Sequence, residues 1–404
     1  MKAVLMSREY PPDVYGGAGV HVAQLARHLA ELVEVEVRCF GSAPPSGGNP
    51  AVRRYPASAP AFEHHPRKVG AALAALHTCL HFNADPVDAD VVHCHTWYSM
   101  FGGIVARIGY GVPLVVTIHS LEPLRPWKRE QLGRGYDLSS WVERTAVELA
   151  DAVIAVSASD RAEILSRFRV PEERLRVIPN GVDTGVHRPV AEADALTRHG
   201  IDPERPYVLF LGRLSRQKGV GHFLAACRRL APGVQAALCA WPPDTPEIEA
   251  ETEAAVAADR AAGRDVIWIR EQVPEAEAVQ LYSHARVFCC PSVYEPFGII
   301  NLEAMACETP VVASAVGGIV DAVDDGVTGL LVRFETAGDG AEPADPDGFA
   351  RDLAGAMQRL LDDPGLAADM GRAGRRRVAE RFGWSSVARR VREVYEAVAG
   401  GSGP

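Results

Sequence analysis

Two short segments carry residue types that could act on one molecule. In the first, Pro291-Ser-Val-Tyr-Glu-Pro-Phe-Gly-Ile-Ile-Asn-Leu-Glu303, the carboxylates Glu295 and Glu303 stand eight positions apart around a Pro-Phe-Gly turn. An apolar stretch readable as a helix follows the turn. The backbone N–H groups of Gly298, Ile299 and Ile300 would then lie between the carboxylates, with the partial positive charge of a helix start. In the second, Gly212-Arg-Leu-Ser-Arg-Gln-Lys-Gly219, the cations Arg213 and Lys218 are five positions apart. One carboxylate can accept two ribose hydroxyls. Another, beside a sugar ring, can fix its hydroxyls and support positive charge at the anomeric carbon. Two cations can neutralise a departing diphosphate. The set could hold a sugar, a ribose and a diphosphate together, which is the chemistry of a nucleotide-sugar enzyme. The plainer alternatives are a solvated charged loop for Arg213 and Lys218, helix-start electrostatics for Glu303 and a pre-proline turn for Glu295. Arg216, in the same loop, is the weaker candidate.

The elements that must position these residues are legible as short apolar runs alternating with helical periodicity. Strands are expected at Ala3–Met6, Val33–Cys39, Val91–His95, Leu114–Ile118, Ala152–Val156 and Arg176–Ile178, then at Tyr207–Leu211, Ala236–Cys239, Val266–Ile269, Val287–Cys290, Pro310–Ala313 and Gly329–Val332. Such alternation implies α/β architecture with parallel sheets covered on both faces. Turn formers cluster over Asn180–Pro189, which predicts a hinge. The division expected is 1–185, 186–383, a C-terminal helix over 384–399 that packs back on the first domain, and a disordered tail over 400–404. Gly41–Pro60 and Glu335–Pro346 read as irregular loops. The basic stretch Gly371–Arg377 reads as a solvated helix face.

Glycines follow the first strand, at Gly16 and Gly17, where a helix begins. Such a turn lets backbone approach a ligand and presents N–H groups to an anion. The spacing is not the dinucleotide fingerprint. His93, His95 and His119 end strands, where open α/β sheets bind ligands. No third metal ligand is evident from spacing, so no metal site is expected. His93 reads as structural.

The 404 residues exceed one ordinary core, and 47% hydrophobic with 23% charged is normal for a globular chain. The net charge of −10 argues against broad nucleic-acid or anionic-membrane binding. Eight cysteines lack framework or metal spacing and read as reduced thiols, consistent with a cytoplasmic location. No signal-peptide core and no run long enough for a membrane span is seen.

The chain resembles the retaining glycosyltransferases of the GT-B fold, close to bacterial glycogen synthases of the shorter type. The resemblance covers nearly its whole length. It rests on Arg8–Pro12, Val14-Tyr-Gly-Gly-Ala-Gly-Val-His21, His95-Thr-Trp97, Thr117–Trp127, Ile178–Asp183, Gly212–Gly219 and Pro291–Ala306. It implies two Rossmann-like domains with parallel sheets facing across a cleft. The Tyr-Gly-Gly-Ala-Gly loop and the His119–Trp127 run point to the branch that uses ADP-glucose and glucose 1-phosphate to make α-maltose 1-phosphate. Longer glycogen synthases carry a Lys-Thr-Gly-Gly pattern at the first loop; Val14-Tyr-Gly-Gly stands here, so no lysine role transfers.

By resemblance, Arg213 and Lys218 bind the donor diphosphate, Glu303 the ribose and Glu295 the glucose. Gly298, Ile299 and Ile300 give backbone contacts, His119 touches the transferred glucose, and Gly16 and Gly17 approach the diphosphate. Retention is implied too, and no carboxylate is obviously placed as nucleophile. A same-face substitution through an oxocarbenium-like transition state is the expected route. ADP-glucose is then a co-substrate and no metal cofactor is required. A phosphorylated acceptor needs a second anion site, for which Arg125, Lys128 and Tyr15 are candidates; surface charge is the plainer option for them. A glucan acceptor, a UDP donor, another GT-B transferase and a nucleotide-sugar epimerase remain alternatives. The oligomeric state is left open, a homodimer included.

Overall fold

The computed structural model describes residues 1–400 other than 15, 57–61, 63, 126 and 338–341. Part of the expected 400–404 tail therefore lies outside the described residues, and Gly400 ends a helix. The chain divides into two compact units, Met1–Gly181 with Trp384–Pro404, and Val182–Gly383.

The first unit is built on seven parallel strands: β1 (Lys2–Ser7), β2 (Glu34–Phe40), β3 (Ala51–Tyr55), β4 (Val91–His95), β5 (Leu114–Ile118), β6 (Ala152–Ala155) and β7 (Leu175–Val177). Their spatial order is β3-β2-β1-β4-β5-β6-β7. The direction of winding reverses between β1 and β4, the place where sheets of this kind open to ligands. Its helices are α1 (Gly17–Leu29), α2 (Arg67–Phe82), α3 (Trp97–Tyr110), α4 (Lys128–Leu132), α5 (Gly135–Leu149) and α6 (Ala158–Arg167). Alternation along β1 sends Val4 and Met6 into one core, with α2, α3 and α5, and Ala3 and Leu5 into the other, with α1 and the C-terminal helix.

The second unit has six parallel strands: β8 (Tyr207–Leu214), β9 (Gln235–Pro243), β10 (Val266–Ile269), β11 (Val287–Cys290), β12 (Val311–Ser314) and β13 (Gly329–Val332). The order β10-β9-β8-β11-β12-β13 puts its switch between β8 and β11. Its helices are α7 (Asp194–Arg198), α8 (Val220–Cys227), α9 (Pro246–Ala261), α10 (Glu275–His284), α11 (Ile299–Ala306), α12 (Ile319–Ala322), α13 (Pro346–Asp362) and α14 (Pro364–Arg381). The last helix, α15 (Trp384–Gly400), belongs to the first unit and packs on α1 through the core that holds Trp384, Val387 and Val391.

Four expectations need correction. Gly41–Pro60 is not wholly irregular: β3 runs through it as an edge strand, pairing Val52 with Val37. Its Arg53 and Arg54 hide the usual apolar signal, because an edge strand buries little. Glu335–Pro346 contains a short antiparallel pair, Thr336–Ala337 with Glu342–Pro343. β8 continues three residues past Leu211, with a register irregularity between Gly212 and Leu214, so Arg213 lies within the strand and not after it. Gly371–Arg377 is solvated only in part: Arg372 and Arg376 are exposed, but Gly371 and Gly374 are buried. A Cβ on Gly371 would lie 1.9 Å from the Glu308 carbonyl oxygen, and one on Gly374 would lie 3.0 Å from Met305, so α14 presses closely on α11. Arg375 donates to the Ala306 carbonyl and Arg377 to Asp321 and Ala322, covering unpaired carbonyls at the ends of α11 and α12.

Candidate active site

In the second unit, the carboxyl ends of β8 and β11 bring the cation and carboxylate segments together. Ser215 caps a 3₁₀ turn, Arg216–Lys218, by accepting from the Lys218 N–H at 3.3 Å. The chain then needs φ of +71° at Gly219, where a Cβ would stand 2.0 Å from the Pro291 carbonyl oxygen. No other residue fits there. The Val293 N–H donates to the Gln217 carbonyl at 2.9 Å and locks the two loops.

Across this join Lys218 Nζ lies 2.6 Å from Glu295 Oε2, with side chains 15% and 8% exposed. Ser292 Oγ donates to the same oxygen at 3.2 Å. The Lys218 stem runs beside Gly212, 4.0 Å from where a Cβ there would stand, so Lys218 neighbours the strand that carries Arg213. Arg213 Nη1 is held by Asp244 Oδ1 at 2.7 Å. Arg216 instead pairs at 3.2 Å with Glu251 on the exposed face of α9.

Gly298, at φ +86°, starts α11 and leaves the first-turn N–H groups of Ile299 and Ile300 beyond the reach of intrahelical acceptors. Glu303 is the fifth residue of α11, past its first turn, so helix-start electrostatics is not its reason for being there. Its Oε2 accepts from the Tyr282 hydroxyl at 3.0 Å, and its Oε1 lies 3.9 Å from His187 Nε2. Gly317, at φ +50°, lets the β12 loop approach the Glu295 carbonyl, which accepts from the Gly318 N–H at 2.9 Å.

In the first unit the strand ends carry histidines. His93 is fully buried and satisfied, with Nδ1 2.7 Å from the Tyr395 hydroxyl and Nε2 2.7 Å from Thr117 Oγ1. His95 Nδ1 lies 3.0 Å from His119 Nε2. His21, on α1, has its ring 4.6 Å from that of His119, and its Nδ1 2.7 Å from Asn180 Oδ1. Burial holds the His21 imidazole down at about 4 and drives His95 and His119 well below the ordinary histidine range. All three are uncharged near neutrality and can exchange hydrogen bonds with hydroxyls. Thr96, between β4 and α3, has φ +65°, a strained state for a β-branched residue, right beside His95. Spacing in the sequence shows no third metal ligand, yet one ring nitrogen each of His21, His95 and His119 lie within 4.8 Å of one another. Positions so distant in the chain leave no motif.

The remaining candidates scatter. Gly16 and Gly17 do start α1, but the Glu9 carboxylate already lies against that end, 3.6 Å from a Cβ on Gly16. Arg125 is drawn inward by Ser120 at 2.6 Å and by Glu122 at 3.4 Å. That carboxylate offsets the charge assigned to a phosphate. Lys128 opens the short α4, and Tyr15 lies outside the described residues. Asp244, Tyr282, His187 and Asn180 escape sequence reasoning because each acts through a partner far away in the chain. Among the described residues, no helix is long and apolar enough to cross a membrane.

Comparisons with known proteins bear on this geometry. The model for "Glycosyltransferase Family 4" matches residues 15–186 and that for "Glycosyl transferases group 1" matches 193–377. The α-maltose-1-phosphate synthase of Mycolicibacterium smegmatis is 47% identical over 98% of this chain and 100% of its own length. That of Mycobacterium tuberculosis is 44% identical over 98% and 100%. A D-inositol 3-phosphate glycosyltransferase of Thermobispora bispora is 32% identical over 94% and 89%. Among solved structures, sucrose-phosphate synthase from Thermosynechococcus elongatus superposes with a TM-score of 0.80 at 27% identity, covering 99% of this chain and 100% of that one. The catalytic domain of starch synthase IV from Arabidopsis thaliana, bound to ADP and acarbose, gives 0.74 at 19% over 98% and 99%, a likeness of fold.

Proposed function

The chain belongs to glycosyltransferase family 4, as a retaining hexosyltransferase of GT-B fold, and from that premise we propose that it moves glucose from ADP-glucose to glucose 1-phosphate, forming α-maltose 1-phosphate for α-glucan synthesis. The observation that carries the reading is the Lys218–Glu295 pair at the switch point of the second sheet, with Arg213 on the neighbouring strand. Fixed positive charge next to a carboxylate suits a substrate that carries a diphosphate on a sugar.

In this account Arg213 leaves Asp244 for the diphosphate, and Lys218 shares its proton donors between Glu295 and a phosphate oxygen. The first-turn N–H groups of Ile299 and Ile300 complete the anion site. Glu303, oriented by Tyr282, accepts the ribose hydroxyls, and Glu295 accepts those of the glucose. His119, neutral and next to His95, takes a glucose hydroxyl. The bond from the anomeric carbon to the diphosphate oxygen lengthens, and positive charge grows on the sugar. The departing oxygen removes the acceptor's proton as the new bond forms on the same face. Catalysis then comes from stabilising the leaving group and positioning the acceptor. Arg125, Lys128 and Tyr15 are the candidates for the acceptor phosphate. Their support is weaker, since Glu122 already faces Arg125. The free cysteines suit a reducing cytoplasm.

Labelled ADP-glucose and UDP-glucose are offered with glucose 1-phosphate or glycogen, and the products are weighed by mass spectrometry. A maltose phosphate formed from ADP-glucose and glucose 1-phosphate is expected. Label entering glycogen with no disaccharide phosphate would replace this reading with glucan elongation.

A further inference from the structure

The histidine cluster of the first unit has more ligand capacity than a single sugar hydroxyl uses. The Asn180 Oδ1 accepts from His21 Nδ1–H at 2.7 Å. This fixes the tautomer, so His21 Nε2 carries a bare lone pair. That nitrogen is buried and has no hydrogen-bond partner among the described residues. A buried polar atom left unpaired asks for an explanation. His95 Nδ1 and His119 Nε2 are 3.0 Å apart. Two nitrogens each about 2.0–2.1 Å from one zinc ion stand at roughly that separation. His119 is only partly buried, which gives an ion a way in.

We infer that His21, His95 and His119 form a Zn²⁺ site on the first unit, and that filling it inhibits glucosyl transfer. Neutral imidazole nitrogens are good ligands for this borderline-soft ion, and three of them leave a fourth position for water or another small ligand. The His95–His119 hydrogen bond must open for both facing nitrogens to coordinate. Its proton moves to the far nitrogen of the ring that held it, so each ring stays neutral and nothing is oxidised or reduced. Asn180 is the outer partner that orients His21, the usual companion of a metal-bound histidine. The inhibitory half rests on the reading above, that His119 touches the donor glucose; the ion site itself does not.

The test uses full-length enzyme stripped with chelator. Zn²⁺ is titrated calorimetrically, and Co²⁺ is added as a visible-absorption probe of coordination. One Zn²⁺ per chain is expected. Binding should weaken at least about 100-fold in His119→Gln and about 10–100-fold in Asn180→Ala, by the scale on which outer partners act. His21→Gln should behave as His119→Gln does and stands in for it if that variant melts early. The α2 pair His77 and His81, with rings 4.6 Å apart, is the competing chelate. Its double variant His77→Ala/His81→Ala should bind Zn²⁺ as the parent does. Absence of saturable binding, or binding that disappears with His77 and His81, overturns the site. One equivalent of Zn²⁺ should also stop turnover, with recovery on adding EDTA. Binding without inhibition overturns the inhibitory half and the placing of glucose at His119, and leaves the ion site standing.

Discussion

The two units share a fold plan, but the histidine cluster of the first and the lysine–glutamate cluster of the second treat charge in opposite ways. At the strand ends of the first, burial leaves imidazoles uncharged: His93 falls to about 3 and His21 to about 4. It also pushes Glu143 well above the usual carboxylate range, first through desolvation and then through nearby Glu122. At the strand ends of the second, charges are kept and paired, as Lys218 with Glu295 and Arg213 with Asp244. A neutral, hydrogen-bonding surface suits sugar hydroxyls, and a fixed ionic one suits a diphosphate. The same kind of sheet edge can be given either chemistry by how deeply its loops are buried and what faces them.

The largest effect should come from breaking the ionic side. Lys218→Ala leaves Glu295 buried without its partner, and should cost about 3–5 kcal/mol in urea-melt stability. Lys218→Met/Glu295→Leu should be less damaged than either single change. Equal or additive losses would show that the pair is not the ionic lock described. Next, Glu303→Gln loses a charge-assisted bond worth about 1.5–3 kcal/mol, so the KM for ADP-glucose should rise about 10–100-fold with kcat little changed. A fall in kcat alone would move Glu303 from ribose to reaction chemistry.

The neutral side predicts smaller effects. Glu143 has a folded pKa raised above its unfolded value. Its contribution to stability is therefore fully present below the ordinary carboxylate pKa and is lost as pH rises toward the folded value. Glu143→Gln, always neutral, should melt higher than the parent at pH 8, with the gap closing toward pH 5. A gap that widens on acidification would mean that Glu143 is charged in the fold. Smallest of all, Tyr395→Phe removes one buried partner of His93 and should cost about 1 kcal/mol of stability without changing turnover. Altered kinetics there would make His93 more than structural.

Most strands are legible because central parallel strands are apolar on both faces, as in Val287–Cys290 and Val311–Ser314. β3 is not, since an edge strand can carry Arg53 and Arg54. Nor is the end of β8, where the irregularity at Gly212 breaks the pattern. The small residues of α14 look like a basic solvated face until Glu308 and Met305 are seen against Gly371 and Gly374. At the site, spacing singles out Lys218 and Glu295 separately but not their contact, which depends on Gly219 passing under Pro291. It singles out Arg213 but not Asp244. The association of His21 with His95 and His119 depends on three separate strand and helix ends meeting, and a linear pattern does not encode that.

The most direct test of the contrast between the units is ADP affinity measured calorimetrically in Arg213→Ala and His119→Ala. Loss of one charged contact of about 3 kcal/mol weakens binding by roughly two orders of magnitude. That loss is expected for Arg213→Ala and parent-like ADP binding for His119→Ala, with glucosyl transfer crippled in both. Parent-like ADP affinity in Arg213→Ala, or an equal loss in His119→Ala, would contradict that contrast.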